Sequence, residues 1–123
     1  MARDVLIIED EEPVAGALET SFRQAGYSVF TAATVAAAEK ILGAHSQPQD
    51  LLLVVDVALK NESGVDFAVS AARRFPSIRV LFISGYIDEL LHMDSTIPRG
   101  HVGFLGKPFT SAELLSAARH ILA

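Results

Sequence analysis

The sequence predicts an α/β fold, a three-layer α/β/α sandwich around a doubly wound, five-stranded parallel sheet. Three observations carry the prediction. Short β-rich apolar runs alternate with stretches of helical periodicity along the 123 residues, as strands and crossover helices do. The run LLLVV at 51–55 is continuously apolar, the pattern of a central strand covered on both faces. Four runs end in polar residues: Glu9-Asp10-Glu11 after VLII, Asp56 after LLLVV, Ser84 after VLFI, and Lys107-Pro108 after VGFLG. In a parallel sheet those ends share one rim, where open α/β sheets collect function.

The first strand spans about Val5 to Ile8. A helix follows from near Pro13, a residue tolerated in a first turn, to Gly26, which suits a helix stop. Its Val14, Leu18, Phe22 and Ala25 recur at helical spacing and are expected to face the sheet. The second strand, about Tyr27 to Thr31, leads to a helix capped by Thr34 and running to about His45. After the central strand, Leu51 to Val55, Gly64 is expected to close a loop in a conformation other residues resist. The third helix covers roughly Val65 to Arg74 and stops before Pro76, because the residue preceding proline disfavours helical dihedrals. The fourth strand is Ile78 to Ile83, and a short helix is expected near Asp88 to Met93, followed by an irregular stretch through Pro98 and Gly100. The fifth strand is about Val102 to Leu105. The last helix opens on Thr110-Ser111-Ala112-Glu113, a capping box in which each outer side chain satisfies the other's backbone N–H. Leu114, Ala118 and Ile121 form its inward stripe, with Leu115 and Leu122 beside it. Right-handed crossovers place helices on both faces of the sheet.

Composition narrows the function classes. Half the residues are apolar and 20% are charged, a globular balance rather than a disordered one. The length suits a single domain over residues 1–123. No apolar run approaches the roughly 18 residues that span a bilayer, so no membrane insertion is expected. The N-terminus enters a strand directly, which leaves no room for a signal peptide. Together with the absence of cysteine, this gives the expectation of a cytoplasmic protein. The net charge of -5 and the scattered basic residues argue against direct nucleic-acid binding. Arg73-Arg74, the one adjacent basic pair, falls late in a helix, where cations favour the negative end of the dipole. His45, His92, His101 and His120 are dispersed and share no motif.

The rim carries the chemistry. Asp10 and Asp56 are placed to ligate a small hard cation, Glu9 to reach it through water, and the Ala58 backbone carbonyl to add a ligand. Crowded carboxylates repel one another, and a divalent cation or the Lys107 ammonium offsets that cost. A cis bond between Lys107 and Pro108 would aim the lysine back into the cluster. Ser84 can donate one hydrogen bond and accept others, although serine also suits a strand-to-loop turn. Gly85 beside it leaves space for a ligand. In this reading Asp56 is a nucleophile that forms an aspartyl phosphate, while Lys107 and Ser84 bind the remaining phosphoryl oxygens. No GxGxxG turn or GxxxxGK[ST] loop supplies a nucleotide site, so a donor must bring the phosphoryl group.

The segments VLIIEDEE, LLLVVD with Gly64 eight residues beyond the aspartate, VLFISGY and GFLGKPF occur in this order. In that arrangement the whole chain resembles a two-component response-regulator receiver domain (CheY-like). FISGYIDELL with GFLGKPF also resembles receivers attached to hybrid sensor histidine kinases. The resemblance implies a flavodoxin-like sheet in the order 2-1-3-4-5 and Mg2+ binding, with Mn2+ able to substitute. It implies phosphoryl transfer from a sensor histidine kinase or histidine phosphotransfer protein, without conventional turnover of a small substrate. It assigns Asp56 as phosphoacceptor, Glu9 and Asp10 as the acidic pair, Ser84 as switch hydroxyl, Lys107 as phosphate partner and Phe104 as the switch aromatic.

Three positions depart from the family pattern: Glu9 replaces the commoner aspartate, Lys60 stands where proline is usual, and Phe104 lacks a tyrosine hydroxyl. Signalling through the surface around the 88–93 helix, Phe104 and 113–119 would reach a downstream protein partner, with the chain as monomer or weak dimer. Leu90, Leu91 and Met93 are candidates for an apolar contact patch there. No output module is expected after Ala123. Two other readings remain: a degenerate receiver that acts as a phosphorylation-independent interaction module, and a small Mg2+-dependent phosphatase, for which no second acid/base is evident.

Overall fold

A computed structural model describes residues 3–85 and 97–123. Five parallel strands form one sheet in the order β2-β1-β3-β4-β5. They are β1 (Asp4–Ile8), β2 (Ser28–Ala32), β3 (Leu52–Asp56), β4 (Arg79–Ser84) and β5 (Val102–Gly106). The helices are α1 (Glu12–Gln24), α2 (Val35–Ala44), α3 (Gly64–Arg74) and α4 (Ser111–Leu122). The helix expected at 88–93, with Leu90, Leu91, Met93, Tyr86 and His92, lies outside the described residues.

The sheet is covered on both faces because its strand residues alternate between two cores. Leu6, Ile8, Leu53, Val55, Val80 and Phe82 pack with Ala38 and Leu42 of α2 and with Phe67, Ala68 and Ala71 of α3. Val5, Ile7, Leu52, Val54, Leu81 and Ile83 pack with Leu18 and Phe22 of α1 and with Leu114, Ala118 and Ile121 of α4. Every residue of β3 is buried. That is the cost-free position for a continuously apolar strand, since both faces leave water.

Helix ends follow local chemistry. Thr34 accepts from the Ala37 amide to cap α2, Ser63 caps α3 through Asp66 N–H, and Thr110 and Glu113 form the reciprocal capping box of α4. Arg74 closes α3 by a two-pronged ion pair with Glu39 of α2, at 2.8 and 2.9 Å, which gives it a structural role. Gly26 takes φ 97° just past α1, the left-handed stop for which glycine is suited. Ala25 departs from the expected stripe: α1 ends at Gln24, so Ala25 is the exposed C-cap and does not face the sheet.

Gly64 also needs a different reason from the one expected. It does not adopt a left-handed conformation; it opens α3 against β3. A Cβ there would stand 2.6 Å from Val55 Cγ1 and 2.7 Å from the Asp56 carbonyl oxygen. The oxygen belongs to a buried strand and cannot yield cheaply. Gly64→Ala is therefore expected to lose about 1–3 kcal/mol of stability, read as a lower midpoint in denaturant unfolding. An unchanged midpoint would mean that α3 can back away from β3 freely.

Candidate functional site

Strand register assembles the rim. Ile8 pairs with Val55, Asp56 with Ile83 and Ser84 with Gly106, so Glu9, Asp56, Ser84 and Lys107 leave adjacent strands at one level. Backbone bonds extend the ladder past the strand ends. Glu9 N–H donates to Ala32 O at 3.0 Å, Val57 N–H to Ile83 O at 3.0 Å, and Lys107 N–H to Ser84 O at 2.9 Å. The site therefore stands on rigid sheet rather than on loose loop.

Asp56 is 5% exposed. Lys107 Nζ donates to its Oδ2 at 2.9 Å, and the Ala58 amide donates to its Oδ1 at 2.8 Å. The Lys107–Pro108 peptide is cis. Burial alone would raise the Asp56 pKa, but hydrogen bonds from Glu9, Lys107 and Ala58 outweigh it and hold the carboxyl below its ordinary value. Burial likewise disfavours the Lys107 ammonium, yet the Asp56 hydrogen bond and the charges of Asp56, Glu9 and Glu11 keep its pKa above the ordinary lysine value.

Glu9 differs. It is 3% exposed, its Oε2 accepts from the Glu11 amide at 3.3 Å, and its Oε1 is buried with no donor. Burial first, and then the Asp56 carboxylate beside it, push the Glu9 pKa up to about 8. The pair shares a proton, and Glu9 holds it. Asp56 already has two N–H donors, whereas a proton on Glu9 lets that carboxyl donate to Asp56 and relieves both groups.

This donor set fits a hard cation: buried carboxyl groups, one carboxyl oxygen without a hydrogen-bond partner and, among the described residues, no histidine or cysteine at the rim. Asp10 is the exception in placement, because its Oδ2 accepts from the Lys60 amide at 2.7 Å. Among the described residues no three acidic, histidine or cysteine side chains stand arranged to hold a metal.

Ser84 is buried at 5% exposure. Phe104 stacks on Phe82 with ring centroids 5.9 Å apart at 18°. Among the described residues, a Cβ at Gly85 would meet nothing within 4 Å. His45 and His101 lie away from the rim, bonded to Asp4 Oδ2 and to Pro76 O. Two contributors had no signal in the residue pattern: the Lys60 amide on Asp10, and Glu62, whose Oε2 accepts from Val35 N–H at 3.0 Å and ties the loop after β3 to α2.

The fold and rim define a class, a parallel α/β domain with an ionised carboxylate, an ammonium and an acidic neighbour at its switch-point edge. The chain belongs to the response regulator receiver domain family, which it matches over residues 5–119. It is 32% identical over 113 residues to Nodulation protein W of Bradyrhizobium diazoefficiens, covering 92% of this chain and 48% of that protein. The chain thus spans about half the length of this curated relative. The PhyR response regulator REC domain of Erythrobacter litoralis superposes with a TM-score of 0.81 at 29% identity, covering 98% of this chain and 90% of that one. A response regulator of Burkholderia pseudomallei superposes at 0.77 with 28% identity, covering 94% and 65%. That structure contains a phosphorylated aspartic acid, a calcium ion and citrate. The chain is a receiver domain of phosphoaspartate-based signalling, a class that works by self-catalysed phosphotransfer rather than by multi-turnover catalysis. Among the described residues no helix is long and apolar enough to cross a membrane.

Proposed function

We propose that Asp56 is the phosphoacceptor and that Glu9, Asp10, Asp56 and the Ala58 carbonyl form the Mg2+ site. The observation that carries this reading is the buried Asp56 carboxylate, held ionised by Lys107 at 2.9 Å. An Asp56 oxygen attacks the phosphorus of a phosphohistidine donor; the new P–O bond forms as the P–N bond breaks, and the imidazole leaves with the electron pair. Held by Glu9, Asp10, Asp56 and the Ala58 carbonyl, Mg2+ would supply neutralisation of the negative charge at the rim. Lys107 follows the transferred group, exchanging Asp56 Oδ2 for a phosphoryl oxygen, and Ser84 donates to a second. The donor is a sensor histidine kinase or a histidine phosphotransfer protein, and the receiver of the signal is a protein partner in the cytoplasm.

The added charge draws Ser84 inward and changes the packing of Phe104 on Phe82. With no hydroxyl on Phe104, that response works by packing alone. Spectra recorded with and without a phosphoryl mimic are expected to differ at both residues, and identical spectra would remove this switch. The phosphoacceptor reading is tested by incubating the protein with acetyl phosphate and Mg2+ and measuring intact mass. A phosphoryl adduct is expected that disappears on chelation of the metal. No adduct from either acetyl phosphate or a phosphohistidine donor would instead favour a phosphorylation-independent interaction module, and steady turnover of phosphate esters a phosphatase.

A further inference from the structure

We propose that the Lys60 backbone amide is a positioning group that competes with the cation for Asp10 and so sets the metal affinity of the site. The inference rests on the Mg2+ site proposed above. Lys60 N–H holds Asp10 Oδ2 at 2.7 Å across a sequence separation of 50 residues, while among the described residues no three acidic side chains stand grouped to hold an ion as placed. Something must move for them to gather. Glu9 and Asp56 are 3% and 5% exposed and fixed at strand ends, whereas Asp10 is only half-buried, one residue farther out. Asp10 is the ligand free to swing, and swinging costs it the Lys60 bond.

The loop that offers this amide is built to keep it there. Leu59, next in the chain, is 8% exposed and packed in the core. On the other side, Asn61 adopts φ 60°, a left-handed conformation that asparagine tolerates better than most residues. The Ala58 amide on Asp56 and the Glu62 carboxylate on Val35 N–H anchor the two flanks. The donor is consequently preorganised, and a preorganised N–H on a carboxylate is a strong competitor. Proline at this position has no N–H to offer, so the lysine matters here for its backbone as much as for its side chain.

The test uses isotope-labelled full chain, Mg2+ titration and amide exchange. In wild type without metal, the Lys60 amide is expected to exchange slowly, and saturating Mg2+ to abolish that protection. Lys60→Pro, which deletes the donor, is expected to bind Mg2+ about tenfold more tightly. Lys60→Ala keeps the donor and is expected to lose protection on Mg2+ addition as wild type does, which separates the backbone from the side-chain charge. Persistent protection of the Lys60 amide at saturating Mg2+ would overturn the proposal, whatever becomes of the proline variant. So would a folded Lys60→Pro whose affinity is unchanged or weaker. Failure of wild type to bind Mg2+ at all would overturn the metal site itself, whereas a metal-dependent adduct with no gain in Lys60→Pro overturns only the competition.

Discussion

Asp56→Asn is expected to abolish the phosphoryl adduct completely while leaving the domain folded. The two expectations come from different atoms. Asparagine keeps an oxygen for the Ala58 amide, which now donates to Asp56 Oδ1 at 2.8 Å, so the turn after β3 retains its bond. What it loses is the anionic nucleophile and the acceptor of the Lys107 ammonium at 2.9 Å. An amide cannot supply the attacking electron pair to phosphorus at any useful rate. Lys107 then turns to Glu9 as its remaining buried acidic neighbour. With the Asp56 charge removed, one of the causes that raise the Glu9 pKa disappears, and Glu9 is expected to titrate lower in the variant. Intact mass reads the adduct, circular dichroism the fold and side-chain carboxyl NMR the titration. An adduct of undiminished yield in Asp56→Asn would place the acceptor elsewhere in the chain.

Much of this architecture is legible because four of the five strands are short apolar runs closed or followed by polar residues, β2 (SVFTA) being the exception. LLLVV reads as central from composition alone, and β3 is buried throughout. The strand order is different in kind. Periodicity says that strands alternate with helices, not which strands are neighbours, and the order 2-1-3-4-5 came with the family resemblance. Gly64 was singled out for the wrong physical reason, since a close approach to the Asp56 carbonyl leaves the same letter in the sequence as a left-handed turn. Ala25 matched a helical spacing but lay past the end of α1, where periodicity no longer places a side chain. At the site, side chains were legible and backbone donors were not. Every residue except proline carries an N–H, so nothing in the letters marks the Lys60 amide as the one that meets Asp10. The same holds for the proton on Glu9: the sequence supplies a carboxyl, and only burial against Asp56 decides who keeps the proton.

That proton has a measurable consequence for the metal. A carboxyl must be ionised to serve a cation, and in the metal-free protein Glu9 stays protonated until about pH 8. Each Mg2+ bound below that point displaces one proton. The apparent Mg2+ affinity is therefore expected to rise about tenfold for each pH unit below the Glu9 pKa and to level off above it. Stability without metal should run the other way. The folded-state pKa of Glu9 lies above its model value of 4.5, so its contribution is full below that value and is lost as pH rises through about 8. Asp56 has the opposite sign: its folded pKa is depressed below 3.8, and its contribution is present above that value and lost as pH falls through the folded one. Between the two, the metal-free protein is expected to unfold more easily as the solution becomes alkaline, and saturating Mg2+ to reverse the trend. Glu9→Gln supplies a permanently neutral donor in the same shape. It should flatten the alkaline loss of stability while weakening Mg2+ binding. Denaturant unfolding and Mg2+ titration at a mildly acidic and a mildly alkaline pH measure both slopes. A wild-type protein whose Mg2+ affinity is the same at the two pH values would show that Glu9 is already ionised before the cation arrives, and that Asp56 and Glu9 share no proton.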